Sequence, residues 1–86
     1  MTDWFVYMVR CADESLYTGV ATDVSRRVAE HNGENGLGAR YTRSRRPVSL
    51  VYQEPCDNRS QACQREYAIK QLSRRAKLAM LAEEAR

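Results

Sequence analysis

Residues 17–31, YTGVATDVSRRVAEH, read as the end of a strand, a short turn and a helix. Tyr17-Thr18-Gly19 belongs to the strand. Thr22 or Asp23 can cap the helix, which runs to about Asn32 before Asn32-Gly33 stops it. At about 100° per residue, Val24 and Val28 define the apolar stripe and His31 falls between them. Arg27 sits roughly 60° to one side of Val24, and Arg26 points almost opposite, to solvent. One β-turn-α unit therefore carries Tyr17, Arg27 and His31, with the last two stacked one turn apart on the inward face. A lone inward His is more often a satisfied core residue, and a lone inward Arg more often the partner of a buried acid. Together, beside a strand end bearing Tyr, they mark a candidate site.

The chain before this unit supplies its sheet. Trp4 to Cys11 (WFVYMVRC) is nearly all apolar or aromatic and reads as a central strand covered on both faces. Ala12-Asp13-Glu14-Ser15 is turn-like, and Leu16 to Val20 forms a hairpin with the first strand. Gly19 inside a strand suggests a bulge or a close backbone approach. If Tyr7 and Tyr17 share a site, they project from one sheet face. Paired residue numbers then have an even sum, which requires an odd-length loop or a bulge near 12–15 or at Gly19.

Beyond the unit, residues 33–46 hold three glycines and four arginines without clear periodicity and read as a long loop. Pro47 opens a third strand, Val48 to Gln53, and Pro55 closes it. Asp57 or Asn58 caps a helix of about 59–72, and Ser73 caps another of about 74–85. The predicted fold is a single α+β domain, 1–86: a small three-stranded antiparallel sheet flanked by three helices, in the order β-β-α-β-α-α.

The second helix carries Ala62, Cys63, Ile69 and Leu72 on its apolar stripe, and Glu66 lies on that same stripe. A buried carboxylate protonates or finds a cation. Two cations are on offer: Arg27 in a salt bridge, or a divalent ion such as Mg²⁺ or Mn²⁺, which favours carboxylate oxygen. The third helix sets Leu78, Leu81, Ala82 and Ala85 on one side and Arg74, Arg75 and Lys77 at its start, as core cover with a basic end.

Eighty-six residues bury only roughly 60% of their unfolded surface, so a large substrate lies on the outside. The formal charge is +3. No acid occurs between Glu34 and Glu54, while Arg40, Arg43, Arg45 and Arg46 all fall in that gap. Arginine suits bidentate phosphate contacts, so the charge pattern favours a polyanion over a merely solvated face. Cys11, Cys56 and Cys63 have no paired spacing, which argues against a zinc motif or a disulfide framework. No signal-like leader and no membrane-length apolar run is present, so a soluble, cytoplasmic protein away from membranes is expected.

These residues resemble the GIY-YIG nuclease superfamily, and within it the short stand-alone bacterial members. Phe5-Val6-Tyr7 stands where the first tripeptide belongs and Tyr17-Thr18-Gly19 where the second does. Arg27, His31 and a helical Glu66 follow in the family's order over about residues 4–75. GARYTRSRRPV at 38–48 is similar to a segment those short members carry. Phe5 and Thr18 depart from the motif, and Leu78 stands where several relatives have Asn.

The resemblance implies metal-dependent hydrolysis of phosphodiesters in DNA, structure- or damage-selective and serving repair or processing, with RNA as a second candidate substrate. Glu66 would hold a single Mg²⁺ or Mn²⁺, and Arg27 would clamp the scissile phosphate. Tyr7 is the first choice to activate water, with His31 taking its proton, and Tyr17 or His31 are alternatives. Arg40, Arg43, Arg45 and Arg46 would track nucleic-acid backbone. Tyr41 would either stack on a base or anchor the loop. Specificity would come from nucleic-acid shape or a partner protein, and a homodimer is compatible with the pattern. The competing readings are a non-cleaving nucleic-acid-binding module of the same fold, and a small structural domain.

Overall fold

The computed structural model describes residues 3–33 and 38–84. Residues 34–37 of the expected loop, and Ala85 of the last helix, lie outside the described residues. In chain order the elements are β1 (Trp4–Arg10), β2 (Leu16–Ala21), α1 (Val24–His31), α2 (Arg40–Arg43), β3 (Ser49–Cys56), α3 (Arg59–Lys70) and α4 (Arg74–Glu84). The sheet is antiparallel with order β2-β1-β3.

The apolar run at the start of β1 makes it the central strand. Val6, Tyr7, Met8 and Val9 are all buried, which requires cover on both faces. Val6 and Met8 join Tyr52, Cys56, Ala62 and Ile69 in one apolar layer, with Met80 and Leu81 packed against it. That layer is the α3 and α4 side. Tyr7, Val9 and Cys11 point the other way and pack with Ala21, Val24 and Val48, flanked by Val28 of α1. Each large apolar side chain buried in this way contributes roughly 1.5–3 kcal/mol relative to exposure.

The hairpin has the odd loop that a shared tyrosine face demands. Cys11 N–H donates to Ser15 O at 2.8 Å and Glu14 N–H to Cys11 O at 2.9 Å. Glu14 takes a left-handed φ of 70°. This is a three-residue connection, a tight turn followed by one left-handed residue. The register that results pairs Tyr7 with Gly19 and Val9 with Tyr17, so Tyr7 and Tyr17 lie on one face.

The helices start where side-chain caps are available. Asp23 accepts from the Arg26 N–H at 3.0 Å, Asn58 from Gln61 at 2.8 Å and Ser73 from Ala76 at 3.1 Å. Helix α1 ends at Asn32, followed by Gly33 with φ of +86°. The Asn32 side chain then clamps the entry to β3: its Oδ1 accepts from Val48 N–H at 2.7 Å and its Nδ2 donates to Val48 O at 3.0 Å.

Three details differ from the sequence reading. The stretch read as loop contains a fourth helix, the single turn α2, held where Thr42 donates to Ala39 O at 2.9 Å. Four residues are too few to display a helical period. Strand β3 continues through Pro55 to Cys56, because an edge strand tolerates a residue without an N–H. Leu72 lies past the end of α3 and is exposed rather than part of its apolar stripe.

The Tyr7 ring lies directly on the backbone of Gly19, where an added Cβ would fall 2.6 Å from Oη and 2.8 Å from Cζ. Gly19→Ala is therefore expected to destabilise the domain by about 1–3 kcal/mol through overpacking, seen as a lower urea midpoint at unchanged m-value. A wild-type midpoint would mean that the ring is not seated there.

Candidate active site

Tyr7, at the middle of β1, and His31, in the last turn of α1, meet through a 2.6 Å contact between Oη and Nε2. His31 is fully buried. Its other ring nitrogen, Nδ1, accepts from the backbone N–H of Ala39 at 3.2 Å and lies 3.1 Å from Thr42 Oγ1. A backbone N–H can only donate, so Nδ1 carries no proton in this arrangement. The neutral imidazole then holds its proton on Nε2 and donates it to Tyr7 Oη. In that tautomer His31 donates to the phenol oxygen.

Tyr17 stands next to this pair. Its ring makes an edge contact with His31 at 5.2 Å and stacks with Tyr41 at 5.7 Å. The Arg45 guanidinium covers the Tyr41 ring at 4.0 Å from its centroid, and Lys70 Nζ lies 5.8 Å from the Tyr17 centroid. The Lys70 side chain of α3 thus reaches the Tyr17 ring. Arg27 Nη1 pairs with Glu30 at 2.9 Å, and Glu66 takes Lys70 at 3.2 Å. The latter is a local i,i+4 pair.

Electrostatic interactions link these groups. Burial pushes the Tyr7 phenol up to about 12; Tyr17 and Glu66 add to the rise, and Arg27 opposes it by charge and hydrogen bonding. Burial pushes His31 down to about 4, with Arg27 acting in the same direction and Glu30 against it. Tyr7, Tyr17, Arg27, His31 and Glu66 form one neighbourhood.

The expected basic contacts divide into two kinds. Arg40 and Arg43 are exposed on α2. Arg45 pairs with Asp13 at 3.0 Å and donates to Tyr41 O at 2.8 Å. Arg46 donates to His31 O at 3.1 Å and Gly33 O at 3.3 Å, closing the end of α1. Tyr41 anchors the loop on Tyr17.

The GIY-YIG catalytic domain family matches residues 3–79 of this chain. The chain belongs to the GIY-YIG family. A UPF0213 protein of Desulfotalea psychrophila is 66% identical over 70 residues, which are 81% of this chain and 63% of that protein. The chain thus spans less than two thirds of that relative's length. A UPF0213 protein of Staphylococcus saprophyticus is 52% identical over 83 residues, covering 96% of this chain and 99% of its own. Two solution structures share the fold. The UPF0213 protein BH0048 from Bacillus halodurans has a TM-score of 0.59 at 42% identity, covering 92% of this chain and 82% of that one. The protein EF2693 from E. faecalis has a TM-score of 0.62 at 34% identity, covering 99% and 92%. GIY-YIG is a nuclease family, and nucleic acid is the partner it implies.

Among the described residues no cluster of three or more His, Cys, Asp or Glu forms a metal cage. Glu66, whose charge acts on Tyr7, is a hard carboxylate donor. A single carboxylate fits Mg²⁺, which keeps most of its waters and takes further oxygen from a phosphate. It does not fit a closed zinc site. Sequence reasoning overlooked Lys70 and Thr42. Lys70 is four residues after Glu66 and so on the same helix face, a signal that was available. Thr42 sits in a stretch with no period to read.

His31 makes the fold sensitive to acid. The unfolded chain takes up this proton near pH 6.5, the folded chain only near 4, so stability falls as pH drops from about 6.5 towards 4 and is level above that window. The loss approaches about 3 kcal/mol at the acid end. Urea titrations at pH 7 and pH 5 should show it. Because the chain has one histidine, its ring-proton resonance reports directly; titration near 6.5 in the folded protein would contradict the burial.

Proposed function

We propose that this GIY-YIG domain is a divalent-metal-dependent endonuclease that hydrolyses phosphodiester bonds in DNA. The supporting observation is a single one. A buried phenol oxygen, Tyr7 Oη, has an imidazole donor at 2.6 Å and shares its neighbourhood with Arg27, Tyr17 and Glu66. No packing requirement gathers those groups.

Hydrolysis by in-line attack needs a base for water, a clamp on the phosphoryl oxygens and help for the leaving oxygen. Tyr7 is the base. Its phenolate is disfavoured by burial and favoured by the donors at its oxygen, His31 Nε2–H and Arg27. His31 holds the phenol oxygen in place and stabilises its charge. Arg27 binds the scissile phosphate as transition-state charge grows. Tyr17 orients the attacking water or the phosphate. Glu66 would hold one Mg²⁺ or Mn²⁺, which when bound supplies Lewis-acid polarisation of the phosphoryl group. Arg40 and Arg43 face the backbone of the nucleic acid, while Tyr41, Arg45 and Arg46 shape the segment that presents them. Selection rests on DNA shape or damage, in repair or processing, or on a partner protein. No helix among the described residues is long and apolar enough to cross a membrane.

A cleavage assay on linear, flapped and branched DNA with Mg²⁺ or Mn²⁺ tests this reading. Glu66→Gln, Arg27→Ala and Tyr7→Phe should each lower cleavage by about 10²–10³-fold with the fold retained. Undiminished cutting by Glu66→Gln would sink the metal role. Binding without cutting in the wild type would make the chain a non-cleaving nucleic-acid-binding module.

The two classes of arginine should also separate. Arg40→Ala should weaken DNA binding and reduce the log–log salt slope by about 1, leaving the melting temperature unchanged. Arg46→Ala should chiefly lower the melting temperature, since it removes the guanidinium that closes α1. Fluorescence anisotropy at three salt concentrations, beside thermal denaturation, distinguishes them.

A further inference from the structure

A cavity of about 240 Å³ opens at the end of the sheet where β1 begins and β2 runs into α1. Trp4, Val20 and Thr22 line one side, and Arg26, Arg27 and Glu30 line the other. We propose that this cavity is a nucleobase subsite, taking an unpaired base of the strand whose phosphate Arg27 clamps. The inference rests on the nuclease reading above and adds to it a class of substrate.

Three observations carry it. Arg27 lines the cavity and also interacts with Tyr7, so whatever enters is the direct neighbour of the proposed reacting phosphate. The charges within it balance. Glu30 accepts from Arg26 Nε at 3.2 Å and from Arg27 Nη1 at 2.9 Å, and Asp23 caps the first turn of α1 at its rim. Glu30 lies between both guanidiniums and Asp23 adds a second carboxylate at the rim, so a neutral ring with polar edges finds both donors and acceptors inside. The cavity is also smaller than the roughly 300 Å³ from which drug-sized ligands are accommodated, and half-buried Trp4 supplies an aromatic wall. One aromatic heterocycle matches that size and lining. A base inside a duplex cannot reach it, because its face is stacked and its edge paired. The favoured substrate therefore carries an unpaired nucleotide beside the cleavage point.

Trp4 is the chain's one tryptophan, and it reports on occupancy. The wild-type chain in EDTA, so that no strand is cut, is titrated with a single-stranded DNA oligonucleotide and with an abasic one of equal length. Trp4 emission and the anisotropy of end-labelled strands are read together. The base-bearing strand should quench Trp4 and bind about 5- to 150-fold more tightly than the abasic strand, the range for one base stacked on an aromatic ring. Thr22→Phe, at an exposed rim position, fills the cavity without disturbing the core. It should reduce binding of the base-bearing strand to that of the abasic strand, with a wild-type melting curve. Trp4→Phe should retain part of the preference. Equal binding of both strands with unmoved Trp4 emission would overturn the subsite and leave the nuclease reading standing. Failure of the wild type both to bind either strand and to cut any DNA would overturn the two together.

Discussion

Tyr7 and His31 meet 2.6 Å apart, both deeply buried, and much of the molecule is arranged so that they can. A polar pair in such a place is tolerated only when each remaining donor and acceptor is satisfied. The backbone N–H of Ala39 satisfies the far side of the imidazole, which docks the arginine-bearing turn α2 on the end of α1. Gly19 is the matching concession in β2, since a larger residue would lift the phenol from its seat. The central strand, the helix and the loop are thus fixed to one another by a single hydrogen-bonded axis. Apolar layers on both faces of the sheet supply the stability that this polar axis does not.

The axis also divides labour between fold and chemistry. His31 is held too deeply to titrate near neutrality, so its value to the site lies in the fixed position of its proton. Arg27, one turn earlier and half-exposed, keeps a guanidinium at the surface. Burial depth along one short helix separates a fixed donor from a group that can meet a ligand.

The architecture was legible where local signals and tertiary demand agree. The caps at Asp23, Asn58 and Ser73 were visible as residue types. The rotation of α1 placed Arg27 and His31 inward and Arg26 outward, and the parity of the hairpin followed from asking where two tyrosines must point. What stayed hidden was decided by tertiary contacts. Helix α2 exists because His31 receives it, and nothing in RYTR alone announces a turn. Charge counting treated Arg40, Arg43, Arg45 and Arg46 as equivalent. It cannot distinguish a guanidinium facing solvent from one spent on the carbonyls of His31 and Gly33. Pro55 looked like a terminator because its missing N–H was weighed apart from the edge position that a central first strand leaves to β3.

That proline has a further consequence. Strand β3 forms an outer margin of the sheet, with a row of backbone groups turned away from β1. Pro55 offers no N–H to an arriving strand, and beside it Glu54 places a carboxylate held by Arg65 at 3.1 Å. An intruding chain would meet an interrupted ladder and a desolvation cost at the same point. The margin of β3 is thereby guarded against pairing with the edge of another sheet.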